Sequence, residues 1–272
     1  MYRHYLAIPH AFHAHRTSHM TPMLFSLVRL AAAALLAAGL ALPAHAAEFH
    51  PAIKRPFNPA PAADLGYVLK ARYRGLALDG NALVKWRAAD GTYQIGVEAH
   101  AMIFGKVQSS SSEGGIDSYG LAPVTAIEKR FRKSPTTVTF NRSDNTMTFS
   151  ASTESYPLLG GEQDRASILW QLIGNARAAP KKFVAGSNWL YFVAGRTDAD
   201  AWNFKVGKTE KVATPLGTLD AVKVARLLPP GSREQQLDIW LAPSLEWYPV
   251  KLRFSEPDGE VFEQILQRIT RQ

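Results

Sequence analysis

Along its C-terminal quarter the chain alternates apolar and polar residues with a period of two. In Leu237–Ala242, Leu237, Ile239 and Leu241 fall on one side and Asp238 and Trp240 on the other. In Val250–Phe254, Val250, Leu252 and Phe254 alternate with Lys251 and Arg253. Such a period places successive side chains on opposite faces of an extended strand. From Lys211 to Ile269 four runs of this kind are separated by Pro/Gly turns, the pattern of an antiparallel meander. The alternation recurs upstream. Tyr67, Leu69, Ala71 and Tyr73 alternate with Lys70, Arg72 and Arg74, and Ala82, Val84 and Trp86 follow an expected turn at Asp79-Gly80. Asp90-Gly91 is a strong hairpin signal into Thr92–Ala101. Val138–Phe140 and Met147–Phe149 flank a second hairpin turn at Ser143-Asp144-Asn145. Trp189–Val193 and Ala199–Val206 read as further strands, and Ser109–Ser112 with Gly114-Gly115 as either a loop or a Ser-rich strand facing water. Val261–Ile269 fits helix and strand alike, and the Pro257-Asp258-Gly259 turn before it favours strand.

One stretch follows a helical period instead. In Asp164–Ala179, Ala166, Ile168, Leu169, Trp170, Leu172, Ile173 and Ala176 cover a wide arc of a helical wheel. An arc that wide predicts deep burial against a sheet, with Trp170 and Ile173 inside. Asp164 falls in the first turn, where the helix dipole stabilises a carboxylate, and Pro180 ends the helix. Ser167, Gln171, Gly174 and Asn175 form the opposite side, so Gln171→Ala is expected to change stability by less than ~0.5 kcal/mol. Arg165 falls on the apolar arc, where it would either pair with an acid on the sheet or, as expected, snorkel outward at the helix end. The predicted fold is therefore mainly β: a single domain over residues 65–272, formed by a long curved antiparallel sheet or half-barrel with one buried helix.

Residues 1–46 are read apart from the fold. Arg29 flanks the apolar run Leu30–Leu42, which ends in the small-x-small motif Ala44-His45-Ala46, so a secretory signal peptide cleaved after Ala46 is expected. The apolar run is short of the ~20 residues that span a bilayer, so no stable membrane span is expected once the leader is removed. A start at Met20 or Met23 would explain the His- and Arg-rich segment before it. Residues 47–64, with Pro51, Pro56, Pro59 and Pro61, read as an extended linker. The product expected is periplasmic.

Composition narrows the chemistry. The chain has no cysteine, which excludes disulfides, thiolate metal sites and an N-terminal lipidated cysteine. Its net charge is +8, and the leader carries Arg3, Arg16 and Arg29 with no acid, which leaves +5 on the exported part. The excess is spread along the chain without a basic run interleaved with aromatics, so no nucleic-acid partner is expected. Of eight histidines only His50 and His100 lie beyond the leader. A Ser-His-Asp triad or a histidine-ligated metal would have to use His100 almost alone, and nothing near it supplies the orienting group. Asp198 and Asp200 would share a face if extended, and two carboxylates can serve glycoside hydrolysis, but acids beside a turn are usually solvated. No catalytic residue, metal site or cofactor is expected. The densest charge cluster, Glu128–Lys133, makes Lys129, Arg130 and Arg132 candidates for an anion or headgroup patch, or else the solvated face of a strand.

Four segments carry a family likeness: Gly120–Val124 (GLAPV), Gln163–Leu172 (QDRASILWQL), Thr214–Val224 (TPLGTLDAVKV) and Ile239–Phe254 (IWLAPSLEWYPVKLRF). In this order they resemble the bacterial exported family called domain of unknown function 3108, across most of Leu65–Ile269. The plan of a curved sheet around a helix also looks like periplasmic lipoprotein carriers of the LolA and LolB type. The first resemblance implies no established activity. Read with the aromatic inner positions, the sequence is expected to be a binding or carrier module for a hydrophobic or lipid-like ligand, with Trp170, Trp189, Trp240 and Tyr248 lining its site. The alternative is an envelope interaction or assembly protein without a small-molecule ligand. Intact mass of the exported product is expected to place its N-terminus at Ala47, and a retained leader in the membrane fraction would contradict that reading.

Overall fold

The computed structural model describes residues 50–272 apart from 74, 75 and 103, with Tyr73 and Leu76 as backbone only; the expected leader lies outside the described residues. The strands are β1 (Ala63–Tyr73), β2 (Leu76–Ala89), β3 (Thr92–Ala101), β4 (Gly105–Asp117), β5 (Gly120–Arg130), β6 (Thr136–Asn141), β7 (Thr146–Phe149), β8 (Ser155–Pro157) and β9 (Gln163–Asp164). After helix α1 (Ser167–Ala178) come β10 (Asn188–Ala194), β11 (Ala199–Thr214), β12 (Gly217–Leu227), β13 (Gln236–Ala242), β14 (Tyr248–Ser255) and β15 (Val261–Arg271). They form one curved, open sheet in the order β8-β7-β6-β5-β4-β3-β2-β1-β15-β14-β13-β12-β11-β10-β9. The fold class is the one the periodicities predict.

The path is a double meander. It begins at the centre of the sheet, walks outward from β1 to β8, crosses through β9 and α1 to the far edge, and walks back to β15, which pairs with β1. Every strand pair is antiparallel except β9 with β10. The two edges are not hydrogen-bonded to each other, yet the arms meet through side chains. Val138, Phe140, Met147, Phe149 and Leu158 of the first arm pack with Phe192, Ala194 and Ala199 of the second.

Local chemistry accounts for the turns. Asp90 (φ 52°) and Gly91 (φ 71°) both take positive φ, as a tight two-residue hairpin requires. Asp79-Gly80 is not a turn: both residues lie inside β2. There Gly80 lets β3 come close, since a Cβ on it would stand 2.2 Å from the His100 carbonyl oxygen. The Ser109–Ser112 stretch is a strand, hydrogen-bonded on both sides within β4. Val261–Ile269 is likewise strand, part of β15.

Helix α1 lies in the trough of the sheet. Trp170 stacks on Trp86 of β2 with ring centroids 4.3 Å apart and planes 7° from parallel, and meets Tyr248 of β14 edge-on at 6.2 Å. Ile168, Leu172, Ile173 and Ala176 are buried with them. The supposedly polar side of the helix is buried as well, which corrects the expectation for Gln171. Its Oε1 accepts the Leu121 amide (2.8 Å), and its Nε2 donates to the Tyr119 carbonyl (2.9 Å) and to Asn175 Oδ1 (3.2 Å). These bonds clasp the β4–β5 hairpin, whose Gly120 takes φ 108° directly beneath the amide. A wheel separates polar from apolar arcs, but it does not reveal that backbone waits opposite the polar one.

Residues 50–62 form neither helix nor strand but are not a free linker. Phe57 covers Gly174, where a Cβ would stand 2.1 Å from its ring. The Asn58 amide donates to the Gly174 carbonyl (3.0 Å), and Asn175 Nδ2 to that of Pro56 (2.7 Å). Trp86 Nε1 donates to Ala60 O (2.9 Å) and Tyr248 OH to Pro61 O (2.7 Å). The strap so formed holds α1 from its outer side. His50, read from the sequence as part of a tail, has a buried side chain, with Nε2 3.1 Å from Glu162 Oε1.

Two substitutions test this packing by denaturant unfolding. Ile173→Ala removes a fully buried side chain and is expected to cost about 2–5 kcal/mol. Gln171→Ala leaves the Leu121 amide and Tyr119 carbonyl without partners and is expected to cost about 1–3 kcal/mol. A cost for Gln171→Ala below ~0.5 kcal/mol would show that the clasp contributes nothing to stability.

Candidate functional site: the uncovered part of the trough

A twelve-residue helix cannot cover the concave face of fifteen strands. Beside α1 a cavity of ≈ 830 Å³ remains, within the ~300–1,000 Å³ usual for small-molecule sites. Its apolar walls come from the inward-facing alternation of many strands: Val84 and Val97 on one arm, Leu237, Ile239, Leu252 and Phe254 on the other. Ile168, Leu169 and Trp170 of α1 form its helical wall. A smaller cavity of ≈ 270 Å³ adjoins it and shares Val107, Gln235, Phe254 and Phe262. Near these shared residues the β3–β4 loop exposes Met102 (78 %) and Phe104 (53 %), the latter with its ring 6.1 Å from that of Phe131.

Charge is confined to one part of the wall. Glu128, Arg130, Lys133, Arg165 and Arg196 line the cavity there. They come from β5, the β5–β6 loop, the β9–α1 connection and the β10–β11 turn, which is where the two arms approach each other. Arg130 pairs with Glu128, and Arg196 Nε lies 4.0 Å from the same carboxylate. Arg165 makes no ion pair among the described residues. It is exposed toward solvent at the rim of the cavity, the outward reach expected of it; partial desolvation of its inner side lowers its pKa, Arg130 and Arg226 lower it further, and Glu128 and Asp198 oppose. It stands outside α1, which begins two residues later, so its place on the apolar arc marked an approach to the cavity.

Asp164 also lines the cavity and is fully engaged. Its Oδ1 accepts the Ala166 and Ser167 amides (2.8 and 3.0 Å), which caps α1, and its Oδ2 accepts Ser112 Oγ (2.5 Å). Ser112 in turn bonds Tyr93 OH at 2.9 Å, so one network ties β3, β4 and the helix start together. Burial pushes the Asp164 pKa up, against the pull of those hydrogen bonds.

The four aromatic candidates separate. Only Trp170 lines the cavity. Trp189 packs against Phe183 at 5.2 Å, with the Arg55 guanidinium 5.4 Å from its ring. Trp240 lies on the face of β13 opposite Ile239, between Lys223 and Lys251, each with Nζ 5.1 Å from the ring, and donates to Glu210 (2.7 Å). Tyr248 is core and holds the strap. Large aromatics fill cores and faces alike, so residue type alone did not sort them. The basic candidates separate too. Arg130 reaches the cavity, Lys129 falls on the opposite face of β5, and Arg132 lies 4.9 Å from the Phe131 ring. Lys133, the last residue of the sequence's charge cluster, reaches the cavity as well, and sequence reasoning missed Arg196. Arg196 carried no signal, since it reaches the group only through the meeting of the two arms.

His100 lies 3.7 Å from Glu98, and Asp200 3.7 Å from Arg226. Among the described residues no group of three or more His, Asp or Glu side chains is placed to hold a metal ion, and no helix is long and apolar enough to cross a membrane.

What this geometry defines is a mainly β protein whose curved sheet encloses one helix and an apolar cavity. The chain belongs to the family described as "Protein of unknown function (DUF3108)", whose model matches residues 69–266. No curated protein matches the sequence. Among solved structures, an exported protein with a YmcC-like fold from Bacteroides fragilis is similar at 10 % identity and a TM-score of 0.31, over 80 % of this chain and 100 % of that one. A lipoprotein from Parabacteroides distasonis is similar at 12 % identity and a TM-score of 0.33, over 82 % and 99 %. A DUF1329 family protein from Desulfovibrio piger is similar at 6 % identity and a TM-score of 0.30, over 78 % and 86 %. Similarity at that level carries no argument about this chain's function.

The Asp164 network makes a pH prediction. A carboxyl whose folded pKa is raised above the unfolded value of about 3.9 favours the fold while protonated, and that contribution is lost as pH rises through the folded pKa. Asp164→Asn removes the titration. Its stability relative to the parent is therefore expected to increase as pH rises from about 4 toward neutrality. Parallel stability–pH curves for the two proteins would contradict the raised pKa.

Proposed function

We propose that this is an exported envelope protein that holds a hydrophobic or lipid-like ligand in the trough beside α1. The observation that carries the reading is the cavity itself: ≈ 830 Å³, walled by Val, Leu, Ile, Phe and Trp side chains and left uncovered by the only α-helix among the described residues. Removing an acyl chain from water into such walls is favourable by roughly 0.8 kcal/mol per buried CH₂. The leader expected over residues 1–46 supports export to the periplasm.

A second reading, an envelope interaction surface, draws support from exposed Met102, Phe104 and Phe131 beside Arg130 and Lys133. Cross-linking in intact cells would recover a reproducible envelope partner if that surface is the working one.

The cavity reading is tested with N-phenyl-1-naphthylamine, a neutral apolar fluorophore, and by native mass spectrometry of protein from an envelope extract. The wild type is expected to bind the fluorophore and to carry a non-covalent mass. Val97→Trp fills the cavity from β3 and is expected to weaken fluorophore binding by about tenfold or more, the scale of ~1.4 kcal/mol of lost contact. Equal binding by both proteins, with only unliganded mass in the extract, would end this reading.

A further inference from the structure

The cavity wall is chemically divided. Toward α1 and the second arm it is apolar; at the seam between the arms it presents Arg130, Lys133, Arg165 and Arg196. Two acids share that wall. Glu128 is already divided between Arg130 and Arg196, and Asp164 is occupied by Ser112 and the first amides of α1. The nearest further acids do not balance the group. Asp198 approaches Arg165 across Gly195 without forming an ion pair, and Asp200 and Glu234 are taken by Arg226. Polar side chains able to donate hydrogen bonds complete this end of the cavity: Gln108 and Ser110 on β4, and Thr136 on β6. An apolar pocket with several under-neutralised guanidinium groups at one end is costly to cover with a neutral molecule, because the cations lose water and gain nothing. An anion there is held by charge-assisted, bidentate hydrogen bonds.

We infer that the trough selects an anionic amphiphile, with its hydrocarbon along the Leu237–Leu252–Phe254 wall and a phosphate or carboxylate headgroup among Arg165, Arg130 and Arg196. The inference rests on the proposed ligand-binding reading of the trough. Arg165 is the central contact, since its guanidinium has no ion-pair partner of its own. Arg130 and Arg196 turn toward the headgroup from their shared hold on Glu128.

The test is displacement of N-phenyl-1-naphthylamine by three amphiphiles with the same sixteen-carbon tail, each below its micelle concentration. These are 1-palmitoylglycerol, which is neutral, palmitate, and 1-palmitoyl-lysophosphatidylglycerol. Both anions are expected to displace the fluorophore at concentrations about tenfold or more below the neutral compound, and the better of the two identifies carboxylate or phosphate as the headgroup. In Arg165→Gln, and separately in Arg196→Gln, this neutral-to-anion ratio is expected to fall to about two or less. A general loss of the cavity would not move a ratio. The ratio in the wild type should also shrink in about 0.5 M NaCl, which gives the same answer if a variant does not fold. A wild type that takes all three compounds equally, or a ratio unchanged in both variants and in salt, overturns the headgroup assignment and leaves the cavity reading standing. A wild type that does not bind the fluorophore at all overturns both.

Discussion

A sheet that is apolar on one face must hide that face, and everything else in this molecule follows from how incompletely one helix does so. Fifteen strands curl until their arms touch, but they do not close, so the concave face needs a cover. Helix α1 supplies it with the Trp170–Trp86 stack at its centre. The helix is held from both sides by polar bonds as well as apolar contact. Gln171 grips the β4–β5 hairpin beneath it, and the strap at 50–62 grips Gly174 and Asn175 above it. A greasy helix in a greasy trough could slide or rotate at little cost. Buried amide bonds with one geometric solution each fix its position, and so fix the volume left beside it.

The strands were legible because a period of two survives in nearly every one, from Tyr67–Tyr73 to Val250–Phe254. The ambiguous segments failed for identifiable reasons. Asp79-Gly80 looked like a turn because glycine serves equally where a turn needs positive φ and where a neighbouring strand comes too close for a Cβ. Gln171 and Asn175 looked solvated because side-chain polarity says nothing about whether water or backbone satisfies it. The prolines of residues 50–62 looked like a linker because proline marks extended chain, whether that chain is free or laid against a helix.

The site was less legible than the fold. Trp170 was found because it sits on a strong helical arc. Trp189, Trp240 and Tyr248 share its chemistry but not its position, and position depends on register between strands far apart in sequence. The cationic seam is the clearest case. Lys133, Arg165 and Arg196 belong to separate loops, and only the curling of the sheet brings them to one wall. The sequence hinted at it twice, through the Glu128–Lys133 charge cluster and through Arg165, a cation on an otherwise apolar arc. That local conflict lies at the mouth of the cavity.

The path of the chain has its own consequence for how the protein is made. Each arm is a run of hairpins that can form as soon as its residues are available, but the joint between the arms is the ladder of β1 with β15, from Ala63 opposite Arg271 to Arg72 opposite Val261. The first strand to emerge therefore waits for the last. Until then β1 offers a long row of unpaired amides and carbonyls along one side, and a strand from another copy fits that row as well as β15 does. Loss of β15 would leave most core residues in place, yet bare the facing edges of β1 and β14 to strands from other copies.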